Sequence, residues 1–212
     1  GNYLTAVGGT AGYRTTGSDN SFFGYASGYS NTSGAENSAF GYVSLYSNST
    51  GSYNTAIGDQ ALYSNTTASN NTAVGYQSLY SNSTANANVA VGYQALYSNT
   101  NSGFNTAIGA GALYAQTTAG GDGGNTAVGY NALASNVTYR NTAVGYNALT
   151  STTSGASNVA MGWGAASSNS TGASNVALGY QALGYNTTGG ANTAVGQQAL
   201  YSNTNGTNNT AV

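Results

Sequence analysis

The acids of this chain are Asp19, Glu36, Asp59 and Asp122, its bases are Arg14 and Arg140, and histidine, cysteine and lysine are absent. General acid–base catalysis needs titratable groups held close together. The four carboxylates are expected at unrelated points of the fold, as solvated turn residues, so no catalytic pair is implied. Without a thiol or an imidazole there is no nucleophile–base pair and no soft metal site. The chain is therefore read as no enzyme, with no catalytic, metal or cofactor-binding residue. A net charge of −2 supplies no basic patch to neutralise phosphates, which excludes nucleic acid and anionic membrane surfaces as partners.

Two residue classes remain that could meet other molecules. The Asn-x-Ser/Thr acceptor pattern, which would place sugar on an exposed edge, recurs at Asn31, Asn48, Asn65, Asn82, Asn136, Asn169 and Asn186. Turn chemistry explains the same residues, because asparagine tolerates left-handed backbone and makes local hydrogen bonds. Tyrosine occurs 19 times. Tyr25, Tyr42, Tyr76 and Tyr93 fall on one phase, and Tyr46, Tyr63, Tyr80 and Tyr97 on another. Stacked rings supply packing area, and an exposed ladder of them would contact glycans or protein.

The phase is that of a tandem repeat. Asn-Thr-Ala-Val-Gly and its variants place a glycine at Gly8, Gly24, Gly41, Gly58, Gly75 and Gly92, then at Gly109, Gly129, Gly145, Gly162, Gly179 and Gly196. Ten of these eleven spacings are 16 or 17 residues and one is 20. Self-similarity at a fixed period marks a solenoid, in which each repeat is one supersecondary unit stacked on the last. The fold class is all-β: a parallel β-solenoid (β-roll or β-helix) of about 12 coils, continuous over 1–212 as a single array. The phrases at Leu4-Thr5-Ala6-Val7-Gly8 and Asn209-Thr210-Ala211-Val212 are ordinary repeat copies, so a segment of a longer fibre is expected.

Numbering from the asparagine, one coil reads Asn71-Thr72-Ala73-Val74-Gly75-Tyr76-Gln77-Ser78-Leu79-Tyr80-Ser81-Asn82, followed by a polar turn. Two short strands are expected, over positions 1–4 and 7–11, with the glycine of position 5 bending the chain between them. Position 4 is always apolar and position 9 is usually leucine, so both are expected inward. Alanine at position 3 would let neighbouring chains approach closely. The 20-residue spacing is an expanded turn over Thr117 to Gly124, whose Gly120-to-Gly124 run could at most form a weak calcium turn. Proline is absent, which suits unbroken ladders. No apolar run approaches the roughly 20 residues of a membrane span, so no insertion of this segment is expected.

The phrases Asn158-Val159-Ala160-Met161-Gly162-Trp163-Gly164-Ala165, Asn175-Val176-Ala177-Leu178-Gly179 and Asn105-Thr106-Ala107-Ile108-Gly109-Ala110-Gly111-Ala112 resemble the head repeats of trimeric autotransporter adhesins. The resemblance covers nearly the whole chain on a short motif, and the coil here is longer than the family's. It implies a left-handed parallel β-roll, three chains side by side, on a bacterial surface or a similar phage fibre. The expected function is a structural or adhesive extracellular fibre at the cell surface or on a virion. Its partners would be further copies of itself, end to end or laterally, and host glycans or matrix proteins. An ice-binding solenoid is the alternative, since Thr55, Thr72, Thr106, Thr126, Thr142 and Thr193 share position 2.

Overall fold

A strand turns successive side chains to opposite faces, so positions 2, 3 and 4 cannot all point inward. In the computed structural model, which describes residues 3–117 and 121–212, it is the alanine of position 3 that does. Each coil contributes one short strand, such as Thr55–Ile57, Thr72–Val74 or Val89–Val91. Thirteen of them, from Leu4–Val7 to Thr210–Ala211, form one sheet in chain order. Pairing is parallel and in register: Thr55 lies beside Thr72, Ala56 beside Ala73 and Ile57 beside Val74. The protein is a parallel β-solenoid with a repeat near 17 residues, and no helix occurs among the described residues.

The core is narrow, and its contents correct the sequence reading. Ala56, Ala73, Ala90 and Ala107 of position 3 are fully buried, as are Leu62, Leu79, Leu96 and Leu113 of position 9. Position 4 faces outward instead: Ile57 is 42%, Ile108 41% and Met161 46% exposed. Strand alternation is the reason, because the interior opposite the leucine column has room for a methyl group and no more. The alanine column, being sealed inside, is no surface for a neighbouring chain.

The coil that breaks this rule compensates for it. Phe22 stands at position 3, fully buried, and position 9 is glycine at Gly12 and Gly28. A Cβ on Gly28 would meet the Phe22 ring at 2.6 Å, and one on Gly12 would meet it at 3.0 Å. The phenyl ring fills the volume that leucine fills elsewhere.

Positions 7–11 form no strand, a second correction. Gln77 and Leu79 both have φ of 52°. The Ser78 amide donates to the Gly75 carbonyl at 3.3 Å and the Asn82 amide to the Leu79 carbonyl at 3.3 Å, giving two successive tight turns. Left-handed backbone costs a non-glycine residue on the order of 1–3 kcal/mol. It persists because neighbouring coils grip it: Gln77 N–H donates to Asp59 O at 3.0 Å, Leu79 N–H to Ala95 O at 2.9 Å and Ser81 N–H to Tyr97 O at 3.0 Å. Backbone ladders thus run on through the turns, so apolar residues there pattern like a strand without being one.

Glycine is required at position 5. Gly75 has φ of +127°, and a Cβ on it would lie 2.6 Å from the Gly92 carbonyl oxygen of the next coil. Gly75→Ala is expected to cost at least about 2 kcal/mol, a fall in melting temperature of roughly 4–8 °C for a chain of this size. A thermal melt followed by circular dichroism checks it.

The long spacing carries its own small sheet. Ser102–Gly103 pairs in parallel with Gly121–Asp122. Part of the proposed calcium turn, Gly120 included, lies outside the described residues.

Candidate functional site

The acceptor asparagines are interior residues. Asn31, Asn48, Asn65, Asn82, Asn136, Asn169 and Asn186 are all fully buried. Asn65 Nδ2 donates to Asn48 Oδ1 at 2.8 Å and to Ala68 O at 3.0 Å, while Asn82 Nδ2 donates to Asn65 Oδ1 at 2.9 Å. The nitrogen that a glycan would occupy is therefore spent on an internal amide ladder. This corrects the reading of position 12 as an exposed edge: the amide nitrogens of these seven asparagines face the interior of the folded coil. The acceptor pattern arises because a polar turn follows a buried asparagine.

Position 1 supplies a second buried amide column. Asn54 N–H donates to Asn37 Oδ1 at 3.0 Å, and Asn54 Nδ2 donates to Ala68 O at 2.9 Å. The Ala68 carbonyl therefore receives both Asn54 and Asn65, closing its coil like a clasp. The same double bond is made to Gly34 O by Asn20 and Asn31, and to Gly172 O by Asn158 and Asn169. Buried polar groups are tolerated when paired in this way. Gln116 stands in the position 12 column beside the expanded turn, fully buried. Its longer side chain accepts from Asn136 Nδ2 at 2.6 Å and donates to Thr138 O at 3.3 Å.

The tyrosines divide into two unlike ladders. At position 10, seven rings from Tyr13 through Tyr29, Tyr46, Tyr63, Tyr80 and Tyr97 to Tyr114 stack at 5.2–5.4 Å. Tyr46, Tyr63, Tyr80 and Tyr97 have a ring against each face and are half-buried, so only their edges meet solvent. Burial pushes the Tyr80 hydroxyl above the ordinary phenol range, with Tyr63, Tyr97 and Tyr76 adding to it. At position 6 the rings are exposed and the ladder is broken: Tyr25 stacks on Tyr42, Tyr76 on Tyr93, and Tyr130, Tyr146, Trp163 and Tyr180 form a third stack. Between the two ladders runs a groove of about 360 Å³ lined by Tyr25, Tyr29, Tyr42, Val43, Tyr46 and Tyr63.

The outer face of the sheet runs continuously along its thirteen strands. It carries the half-buried threonines Thr55, Thr72, Thr106, Thr126, Thr142 and Thr193 of position 2 beside the aliphatic column of position 4. The sequence reading missed this face by turning position 4 inward. The strict Ala-apolar-Gly order held the signal, since a position next to a buried alanine in a strand must point outward.

The charges are dispersed but not all unrelated. Asp19 and Glu36 each precede position 1 in successive coils, in left-handed backbone with φ of 59° and 56°, and both are exposed. They thus share a column, which corrects the expectation of different phases. Arg140 shares that column too and lies over the Tyr139 ring at 5.4 Å, while Arg14 lies over Tyr29 at 5.7 Å. Among the described residues, no group of three His, Cys, Asp or Glu could hold a metal ion, and no helix is long and apolar enough to cross a membrane. Compared with known proteins, the chain matches no family model, no curated protein sequence and no solved structure.

Proposed function

We propose that this chain is a structural segment of an extracellular or surface fibre, non-catalytic, whose coils associate laterally with further copies of themselves. The observation that carries the reading is the outward apolar column of position 4 on the sheet's outer face, with Phe40, Ile57, Ile108 and Met161 each 38–46% exposed. A contiguous apolar face of this kind on a soluble protein marks an interaction surface. Because the pattern repeats along the whole chain, a partner with the same repeat fits it at every coil, and the simplest such partner is another copy. The adhesin resemblance supports three copies. Attachment to host glycans or matrix proteins would then fall to the edges left uncovered.

Sedimentation equilibrium tests it. The native chain is expected as a homo-oligomer, and the double variant Ile57→Lys, Ile108→Lys as a monomer that keeps its β-type circular dichroism. A monomeric parent would contradict the proposal.

One observation favours ice binding as a second reading: threonines recur outward and in register on a regular parallel sheet. Ice-shaping and thermal hysteresis by the monomeric chain would support it.

A further inference from the structure

The exposed position 6 ladder lacks one rung between Tyr42 and Tyr76, and in that place stands Asp59. The backbone passes the gap unbroken. Gln60 N–H donates to Tyr42 O at 3.0 Å and Gln77 N–H to Asp59 O at 3.0 Å. The neighbouring side chains Gln60, Gln77 and Gln94 form a continuous amide ladder at 2.7 and 2.8 Å. Only a ring is missing. Tyr42 stacks on Tyr25 and Tyr76 on Tyr93, which leaves one face of Tyr42 and one face of Tyr76 turned toward the Asp59 coil. Two coil steps separate these rungs, in a ladder whose neighbouring rings stack at 5.5 and 5.6 Å. The two rings are 53% and 43% exposed.

From this juxtaposition we infer a binding slot for an organic cation of the quaternary ammonium class, held between the Tyr42 and Tyr76 rings with Asp59 as counter-ion. A cation is attracted to an aromatic face when it lies within about 6 Å of the ring centroid. The rings flanking the gap stack on their other neighbours at 5.5 and 5.6 Å, so a group seated in the missing rung lies within that reach of about 6 Å of both. The Asp59 carboxylate is exposed and has no hydrogen bond or ion pair among the described residues, so it is free to supply the opposite charge. A compact, weakly hydrated trimethylammonium group suits the slot better than a metal ion, which needs several oxygen ligands. The groove lined by Tyr42, Tyr46 and Tyr63 shares the Tyr42 ring with the slot. This inference is independent of the fibre reading.

The ladder contains its own control. A second missing rung lies between Tyr93 and Tyr130, where Ala110 stands in the same register: Gly111 N–H donates to Tyr93 O at 2.9 Å and Asn131 N–H to Ala110 O at 3.0 Å. That gap has the rings without the carboxylate.

The experiment titrates the full chain with choline chloride at constant ionic strength and follows the tyrosine ring resonances by NMR, with Trp163 as the distant reference. The expected result is a saturable shift at Tyr42 and Tyr76, with one site per chain. Asp59→Asn should weaken it about fivefold or more, and Tyr42→Leu or Tyr76→Leu each about three- to tenfold. Ala110→Asp should raise the stoichiometry from one site to two. These positions are on the surface, and retained β-type circular dichroism confirms the fold of each variant. Phosphatidylcholine vesicles are tested separately. Co-sedimentation assigns the cation to a lipid headgroup, and choline binding without it assigns a soluble or polymer-borne cation; either supports the slot. Equal binding of 3,3-dimethylbutanol, the uncharged shape analogue of choline, would overturn the inference. So would unchanged binding by Asp59→Asn, or the absence of a saturable shift.

Discussion

Leu79→Asp is expected to unfold the coils around it, whereas Val91→Asp in the next coil leaves the fold standing. Leu79 is fully buried in the leucine column, and its backbone is locked to Ala95 O at 2.9 Å. Removing a buried leucine costs about 2–5 kcal/mol, and an unpaired carboxylate in its place adds a desolvation penalty. Val91 is only half-buried, on the outward side of its strand. A surface change there stays within about 1 kcal/mol for the single chain. If the fibre proposal holds, Val91→Asp acts on association, placing a charge in the apolar seam. Thermal melts and sedimentation of the two variants separate the effects. Equal destabilisation by both would mean that position 4 faces inward after all.

The amide clasp gives the second large effect. Asn65→Ala removes the acceptor for Asn82 Nδ2 and the donor to Asn48 Oδ1, both in the dry interior. Each buried group left unsatisfied costs about 1–3 kcal/mol, so roughly 2–6 kcal/mol is expected from the pair. Thr67→Ala is the matched control. It destroys the Asn65-Thr66-Thr67 acceptor pattern at an exposed residue and leaves the ladder intact, so a change within about 0.5 kcal/mol is expected. Hydrogen exchange of the amides of coils 54–82, with a thermal melt, reads both. Comparable losses in the two variants would sink the role given to the ladder.

These contrasts show what was legible in the residues and what was not. The period, the parallel stacking and the inward leucines all follow from spacing, because a solenoid repeats its chemistry at its own pitch. The inward or outward sense of position 4 did not follow from hydrophobicity. A valine is ordinarily a core residue, and here alanine displaces it because the coil is too narrow. The strand expected over positions 7–11 failed because leucine rarely adopts a φ near +50°, and no propensity signals it at Leu62, Leu79 or Leu96. The asparagines of position 12 were misplaced for a related reason: asparagine is mostly a surface residue. Only stacking, which sets Asn48, Asn65 and Asn82 one above another, makes a buried amide column affordable. Phe22 and Gly28 are both visible exceptions in the sequence, but their link appears only once coils are superposed.

The most direct test of the account is a cryo-EM cross-section of the assembled material. It predicts two or more solenoids packed with their position 4 columns, Ile57 and Ile108 among them, facing each other, and with the position 6 tyrosines left at the periphery. A single solenoid whose aliphatic face meets only solvent, or copies joined through another face, would contradict it.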